Sequence, residues 1–171
     1  MDYGSMGTLW MEIHGILQKV SDVMTEKLEV NSLVILQERM VNLINQLQMP
    51  LIEVSMVIGN HIKQMMKSLQ EHIAKTGASI SSKVSTQWPL TNNSNASLEN
   101  KVDLEKIISI VDDDRMDILA TLIRVTLIET EMALDDGILA LRMWEKLARS
   151  QLSAATTPGQ LFSPIIIPEE W

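Results

Sequence analysis

Three aspartates, Asp113, Asp114 and Asp117, are the residues whose spacing is most suggestive of chemistry. Positions three and four apart are neighbours on a helix surface, so these carboxylates would lie within about one turn of each other. Carboxylate oxygens bind Mg²⁺, usually together with phosphate groups of a substrate. The group therefore supports one hypothesis for function, a small magnesium-dependent enzyme that acts on a diphosphate or a nucleotide.

The DDxxD spacing of these aspartates is the one by which all-helical isoprenoid synthases hold magnesium against a diphosphate. The rest of the chain departs from that pattern, because it is much shorter, has only Asp135 and Asp136 as a second acidic cluster, and lacks basic residues for a diphosphate. We favour the alternative interpretation, in which the aspartates cap a helix N-terminus and interact favourably with its dipole. We accordingly predict no catalytic residue, no cofactor and no metal site.

Other catalytic designs have little support in the sequence. The chain has no cysteine, which excludes disulfides, thiolate catalysis and iron–sulfur sites. Its 7 glycines are dispersed and form neither a P-loop nor a dinucleotide-binding turn. His61 and His72 would lie about 16 Å apart along one helix, too far to share a metal ion. We therefore predict a protein that is not an enzyme.

The charge distribution argues against direct nucleic-acid binding. The formal net charge is −8, and the basic residues are scattered singly instead of forming the cluster that phosphate binding needs. We expect no secretory signal, because the first residues lack a basic region, and no transmembrane segment, because the least charged window, from Met40 to Ile62, is too polar. A cytoplasmic or nuclear location is the resulting expectation.

Apolar residues recur at helical spacing along most of the chain, so the predicted class is all-α. The first stripe spans residues 9–28, and a second stripe spans residues 33–73 at 3.6 residues per step, the period of packed straight helices more than of a long two-stranded coiled coil. Asn31 and Ser32 are the predicted break between the stripes. Pro50 is expected to kink or split the second stripe, and Gly77 follows its predicted end.

Four segments are predicted, and together they form one folded domain. Residues 1–76 and 98–153 are helical blocks that make a bundle of four to five helices, joined by a flexible Ser/Thr/Asn-rich linker at 77–97. In the second block, Asp113 or Asp114 is the expected helix cap, and the run from Asp135 to Gly137 is expected to end or interrupt a helix. The linker contains the sequons at Asn92 and Asn95, which matter only in a secreted chain.

The Pro-rich segment 154–171 is predicted to be an extended tail. Left exposed, its apolar residues would favour aggregation, so we expect the tail to pack on its own bundle, on a second subunit or on a partner. Trp88 is the odd member of the polar linker, and it either docks on the bundle or contacts a partner. The candidate partner-binding residues are therefore Phe162, Ile165, Ile166, Ile167, Trp171 and Trp88.

These features favour a self-associating, protein-binding helical protein, such as a scaffold, an adaptor, or a virus-type structural or polymerase-cofactor protein. Its expected partners are further copies of itself and a protein bound through the tail. A helix that lies on a membrane surface is a further alternative for residues 9–28. Its acidic side chains disfavour that alternative, because they would repel anionic lipids; they are Glu12, Asp22, Glu26 and Glu29.

Overall fold

The structure, a computed structural model, describes residues 4–91 and 103–171, and the described residues are mostly helical without a β-strand. The all-α prediction is therefore confirmed. Within those ranges, no helix is both long enough and apolar enough to cross a membrane. The helices are α1 (Gly4–Leu47), α2 (Leu51–Thr76), α3 (Ser82–Ser85), α4 (Leu104–Ile110), α5 (Asp113–Glu129), α6 (Leu134–Ala154) and α7 (Pro158–Leu161).

The first helix does not break where the sequence stripes change. α1 runs through Asn31 and Ser32, so the predicted break there is wrong. The Ser32 hydroxyl donates to the carbonyl oxygen of Leu28 at 2.9 Å, one turn earlier, and therefore does not cap a new helix. At Pro50, in contrast, the chain leaves one helix and begins another, because proline lacks the N–H that would continue the helix.

Four helical segments form the helical body, which comprises residues 32–47 of α1 together with α2, α5 and α6. α2 packs mainly on α6, and α1 packs mainly on α5. The largest fully buried side chain of this body is Trp144, whose indole N–H donates to Gln37 at 2.8 Å. The core also includes Leu36, Met40, Ile44, Met49, Val54, Ile58, Leu119, Ile123, Ile138 and Leu141.

The ends of α5 and α6 differ from the expectation in detail. Asp112, not Asp113 or Asp114, caps α5, because its extended backbone lets its carboxylate accept from the N–H of Arg115 at 3.0 Å. Asp135 and Asp136 lie in the first turn of α6 instead of ending a helix. Acidic side chains in a first turn face the positive end of the helix dipole, which explains why a helix begins there.

Two segments outside the four main helices lie on the helical body. Residues 77–91 of the predicted linker are described, and there Val84 is buried and its carbonyl accepts from Arg142 at 3.1 Å. The C-terminal segment passes the gap between α1 and α2, where Ile165 N–H donates to Met49 at 3.1 Å and Leu51 N–H donates to Ser163 at 2.8 Å. These two bonds satisfy backbone groups that the helix break at Pro50 leaves without an intrahelical partner.

Candidate functional site

The first helix projects beyond the helical body, and we call its residues 11–28 the arm. Every side chain that the structure describes in the arm is exposed. These exposed side chains include large apolar ones, which are Met11, Ile16, Leu17, Val20, Val23, Met24 and Leu28, at 50% to 73% exposure. Single apolar residues at a surface are ordinary, but the six from Ile16 to Leu28 share one side of the helix over more than three turns, which is typical of an interaction surface.

The arm's apolar face lies on nearly the opposite side of α1 from the face that packs in the body. Val20 is central to the first and Met40 to the second, and they are 20 residues apart in one helix. At about 100° per residue this separation leaves the two faces about 160° apart. The arm therefore cannot bury its apolar face by continuing the packing that α1 makes further on, and the chain's own body leaves it uncovered.

The phase change between the stripes was the sequence signal for this surface. The shift in the apolar pattern predicts a break between two helices, whereas the structure has one continuous helix with two apolar faces. Counting 100° per residue from Val20 to Met40 would have identified the opposed faces from the sequence. The exposure of the arm itself could not be found that way, because it depends on where the other helices lie.

The three aspartates of the alternative magnesium hypothesis are not grouped into a cation site among the described residues. Asp113, Asp114 and Asp117 are all on α5, where all three are exposed. Across residues 4–91 and 103–171, the structure brings together no group of three His, Asp or Glu side chains that could hold a metal ion. The geometry thus gives no support to the hypothesis of an Asp-based magnesium enzyme, which stays a prediction.

A buried carboxylate beside these aspartates was missed in the sequence. Glu53 of α2 is 1% exposed and accepts from the Arg115 guanidinium at 2.6 Å through each of its two oxygens. It also accepts from the N–H of Asp112 at 3.0 Å. The hydrogen bonds to Glu53 and its charge raise the pKa of Arg115. This network fastens the start of α5 to α2, so its role is structural.

His61 is a second buried polar residue, which the sequence analysis considered only as a possible metal ligand. Its Nδ1 lies 3.1 Å from the carbonyl oxygen of Val57, while its Nε2 is buried without a hydrogen-bond partner among the described residues. Burial is the main cause that lowers the pKa of His61 from 6.5, and the charge of Arg124 acts in the same direction. Burial between α2 and α5 thus disfavours the charged form of the His61 imidazole, so its protonation at lower pH opposes folding.

Trp88 lies at a small groove between α1 and α6. Its indole N–H donates to Lys83 at 2.8 Å, and its carbonyl accepts from Arg149 at 2.8 Å. The groove has a volume of about 240 Å³ and is lined mostly by apolar side chains, including Leu33, Leu139 and Trp88 itself. The structure therefore docks Trp88 on the body and leaves part of its ring surface facing the groove.

The tail candidates differ in how much of each side chain faces solvent. Ile165 is buried, and Trp171 packs edge-on against Trp144 with their ring centroids 4.9 Å apart. Phe162 and Ile167 are half-buried, whereas Ile166 is 74% exposed. The backbone of Ile166 is nevertheless fixed by Gln151, whose side-chain amide bonds both its N–H, at 3.0 Å, and its carbonyl, at 2.6 Å. The described tail thus lies on its own body.

Comparison with known proteins finds no match to this chain. No protein-family model matches the chain, and neither a curated protein nor a solved structure matches it. The surfaces described above are therefore what a functional proposal has to use.

Proposed function

We propose that this protein is a non-enzymatic helical protein that works by self-association and protein binding. Scaffolds, adaptors, and virus-type structural or polymerase-cofactor proteins act in this way. In the proposal, a bundle of four to five helices is the folded body, and the arm is the surface that associates. The protein acts in the cytoplasm or the nucleus and does not bind nucleic acid directly.

The observation that carries the proposal is the uncovered apolar face of the arm. Helices in proteins are held mostly by packing of an apolar face, and the arm has such a face without a cover from its own chain. Covering it with a second protein surface would remove the apolar side chains from water. This burial stabilises the complex by roughly 25 cal/mol per Å² of apolar surface. Association would therefore stabilise the arm by burying its apolar face.

A protein partner is the second part of the proposal. Ile166 is the tail residue best placed for it, because its side chain faces solvent while its backbone is held in an extended form by Gln151. An apolar side chain presented on a fixed, extended segment is a common element of peptide recognition by proteins. Trp88, Phe162, Ile167 and Trp171 lie on the same body and remain candidates for contacts around it.

Sedimentation velocity of the full chain at micromolar concentration tests self-association. We expect an oligomer for the unchanged protein and a shift towards monomer for Val20→Asp, which places a charge in the middle of the apolar face. The matched control is Gln18→Asp, which introduces the same charge on the exposed opposite side of the arm. A strict monomer for the unchanged protein would show that the self-association part is wrong.

A further inference from the structure

The spacing along the arm defines a seam that suits a partner helix. Ile16, Val20, Val23 and Lys27 follow each other at steps of four, three and four residues. These steps are those of the a and d positions of a heptad, with Ile16 and Val23 at d and Val20 and Lys27 at a. All four side chains are exposed in the structure. The side chains of a second helix can therefore pack along this seam.

Charged and apolar side chains flank the seam on different sides. Lys19 and Glu26 occupy successive g positions on one side, and Leu17 and Met24 occupy successive e positions on the other. One flank thus carries two opposite charges seven residues apart, and the other carries two apolar residues at the same spacing. A partner has to match both flanks.

A parallel second copy matches them poorly. In a parallel pair each a position meets its own counterpart, so the two Lys27 ammonium groups would lie side by side in the seam. Each g position would meet an e position, which sets Lys19 against Met24 and leaves its charge without a partner. Like charges at the a position cost free energy, and the flank charges gain no ion pair in this orientation.

An antiparallel second copy pairs all four positions of the seam. With the centre of the pair between Ser21 and Asp22, Val20 meets Val23 of the second copy, and Ile16 meets Lys27. The aliphatic stem of Lys27 can lie over Ile16 while its ammonium group stays in water. The two Lys27 residues are then about 16 Å apart along the axis.

The flanks agree with the same centre. In antiparallel pairs, g faces g and e faces e, so Lys19 of each copy faces Glu26 of the other, and Leu17 faces Met24. Two ion pairs and two apolar contacts are therefore related by one two-fold axis, as expected for a symmetric dimer. We propose that two copies of this chain associate through an antiparallel pairing of their arms, with Lys19 of each copy facing Glu26 of the other.

The position of the helical body allows this arrangement. The body packs on the side of α1 that is turned about 160° from the seam, so it does not obstruct the second copy. In the antiparallel pair the two bodies begin at residue 32 of each chain, about 30 Å apart along the arms on the centre given above. The dimer would hold two bodies at opposite ends of a short two-helix connection.

The inference rests on the self-association proposed above and adds its surface and orientation. Because the chain lacks cysteine, single thiols can be introduced without background. Full-length Ile16→Cys and Lys27→Cys variants are mixed, allowed to exchange, and treated with a short bis-maleimide. The antiparallel dimer predicts crosslinked heterodimers of the two variants, with the linked sites identified by peptide mass, and little crosslinking of Ile16→Cys alone.

The outcomes separate the inference from the proposal on which it rests. Efficient crosslinking of Ile16→Cys with itself would show a parallel pair and overturn the inference, although self-association would stand. An oligomer that persists in Val20→Asp and gives no arm crosslinks would place the association on another surface and overturn the inference as well. Flotation of the unchanged protein with anionic vesicles, with a monomer in their absence, would assign the arm to a membrane instead.

A charge exchange tests the register without cysteine. Lys19→Glu turns both Lys19–Glu26 pairs into repulsive ones, and we expect the dimer dissociation constant to rise roughly 10-fold at low salt. Lys19→Glu/Glu26→Lys restores both pairs and is expected to return the constant to near that of the unchanged protein. Failure of the double variant to recover would contradict the antiparallel register, because only there do these two positions meet.

Discussion

The two halves of α1 have the same helical backbone and opposite environments. Met24 in the arm is 60% exposed, whereas Met40 in the helical body is 0% exposed. Backbone hydrogen bonds within the helix are satisfied in both halves, so helix formation by itself does not decide burial. The burial of an apolar stripe therefore depends on the side of the helix on which the other elements pack.

The sharpest test of this comparison uses the same substitution in both halves. Met40→Ala removes a fully buried side chain and is expected to destabilise the fold by about 2 to 5 kcal/mol. Met24→Ala is expected to change the unfolding free energy of dilute monomer by less than about 0.5 kcal/mol, while it weakens self-association. Chemical denaturation, paired with sedimentation velocity, measures both effects.

Equal destabilisation by the two methionine variants would contradict the comparison. It would mean that the arm packs on its own body in solution. A loss of stability for Met24→Ala that grows with protein concentration has a different meaning, since it would show the contribution of the associated state.

A second test compares two glutamates. Glu53→Ala removes a buried carboxylate that pairs with Arg115 and accepts from Asp112, and it is expected to cost about 3 kcal/mol because both donors lose their partner. Glu26→Ala removes an exposed carboxylate of the arm and is expected to leave the unfolding free energy of the monomer nearly unchanged. Denaturant unfolding with both variants at the same protein concentration measures the difference.

The glutamate comparison has a clear contrary outcome. If Glu53→Ala unfolded at the same denaturant concentration as the unchanged protein, the carboxylate would not be holding α5 against α2. A stable Glu53→Ala protein with a changed slope of the unfolding transition would instead indicate an altered denatured state.

The smallest expected effect concerns pH and belongs to the helical body alone. The pKa of His61 is lowered from 6.5 in the folded protein, so the unfolded chain takes up this proton first as the pH falls. Folding stability is therefore lost progressively below about pH 6.5, down through the lowered pKa of the folded state. His61→Leu is expected to reduce this loss, measured as the change in unfolding midpoint between about pH 7.5 and pH 5.5.

His14 and His72 are present in both proteins, so their contributions cancel in the comparison. An identical acid-induced loss of stability with and without His61 would show that its burial has no consequence for folding. Reduced loss in the variant would place the pH sensitivity between α2 and α5, away from the arm.

The helix ends were predictable where a local signal fixes them. Pro50 cannot continue a helix, and the helix after it ends at Thr76 with Gly77 in the left-handed conformation, at φ 70°, which glycine adopts without strain. The predicted break at Asn31 failed for a different reason. A shift in the apolar pattern indicates a change in the side of the helix that is apolar, and it does not interrupt the backbone hydrogen bonds of that helix.

The candidate site was only partly predictable. The apolar stripe over residues 9–28 was visible in the sequence, and so were the tail residues and Trp88. Glu53 and His61 were not, because each is a single polar residue in an apolar stripe, and burial of such residues depends on partners far away in sequence. Arg115, 62 residues from Glu53, supplies the positive charge that offsets the cost of burying the Glu53 carboxylate.

The all-α class and the helix ends next to Pro50 and Gly77 follow from the sequence, because helix period, proline and glycine act through a few neighbouring residues. Which apolar residues are covered depends instead on how the helices pack. Packing of α5 and α6 on one side of α1 buries Met40 and leaves Val20 on the opposite side in solvent. Coverage is a property of contacts between segments distant in sequence, and no local pattern contains that information.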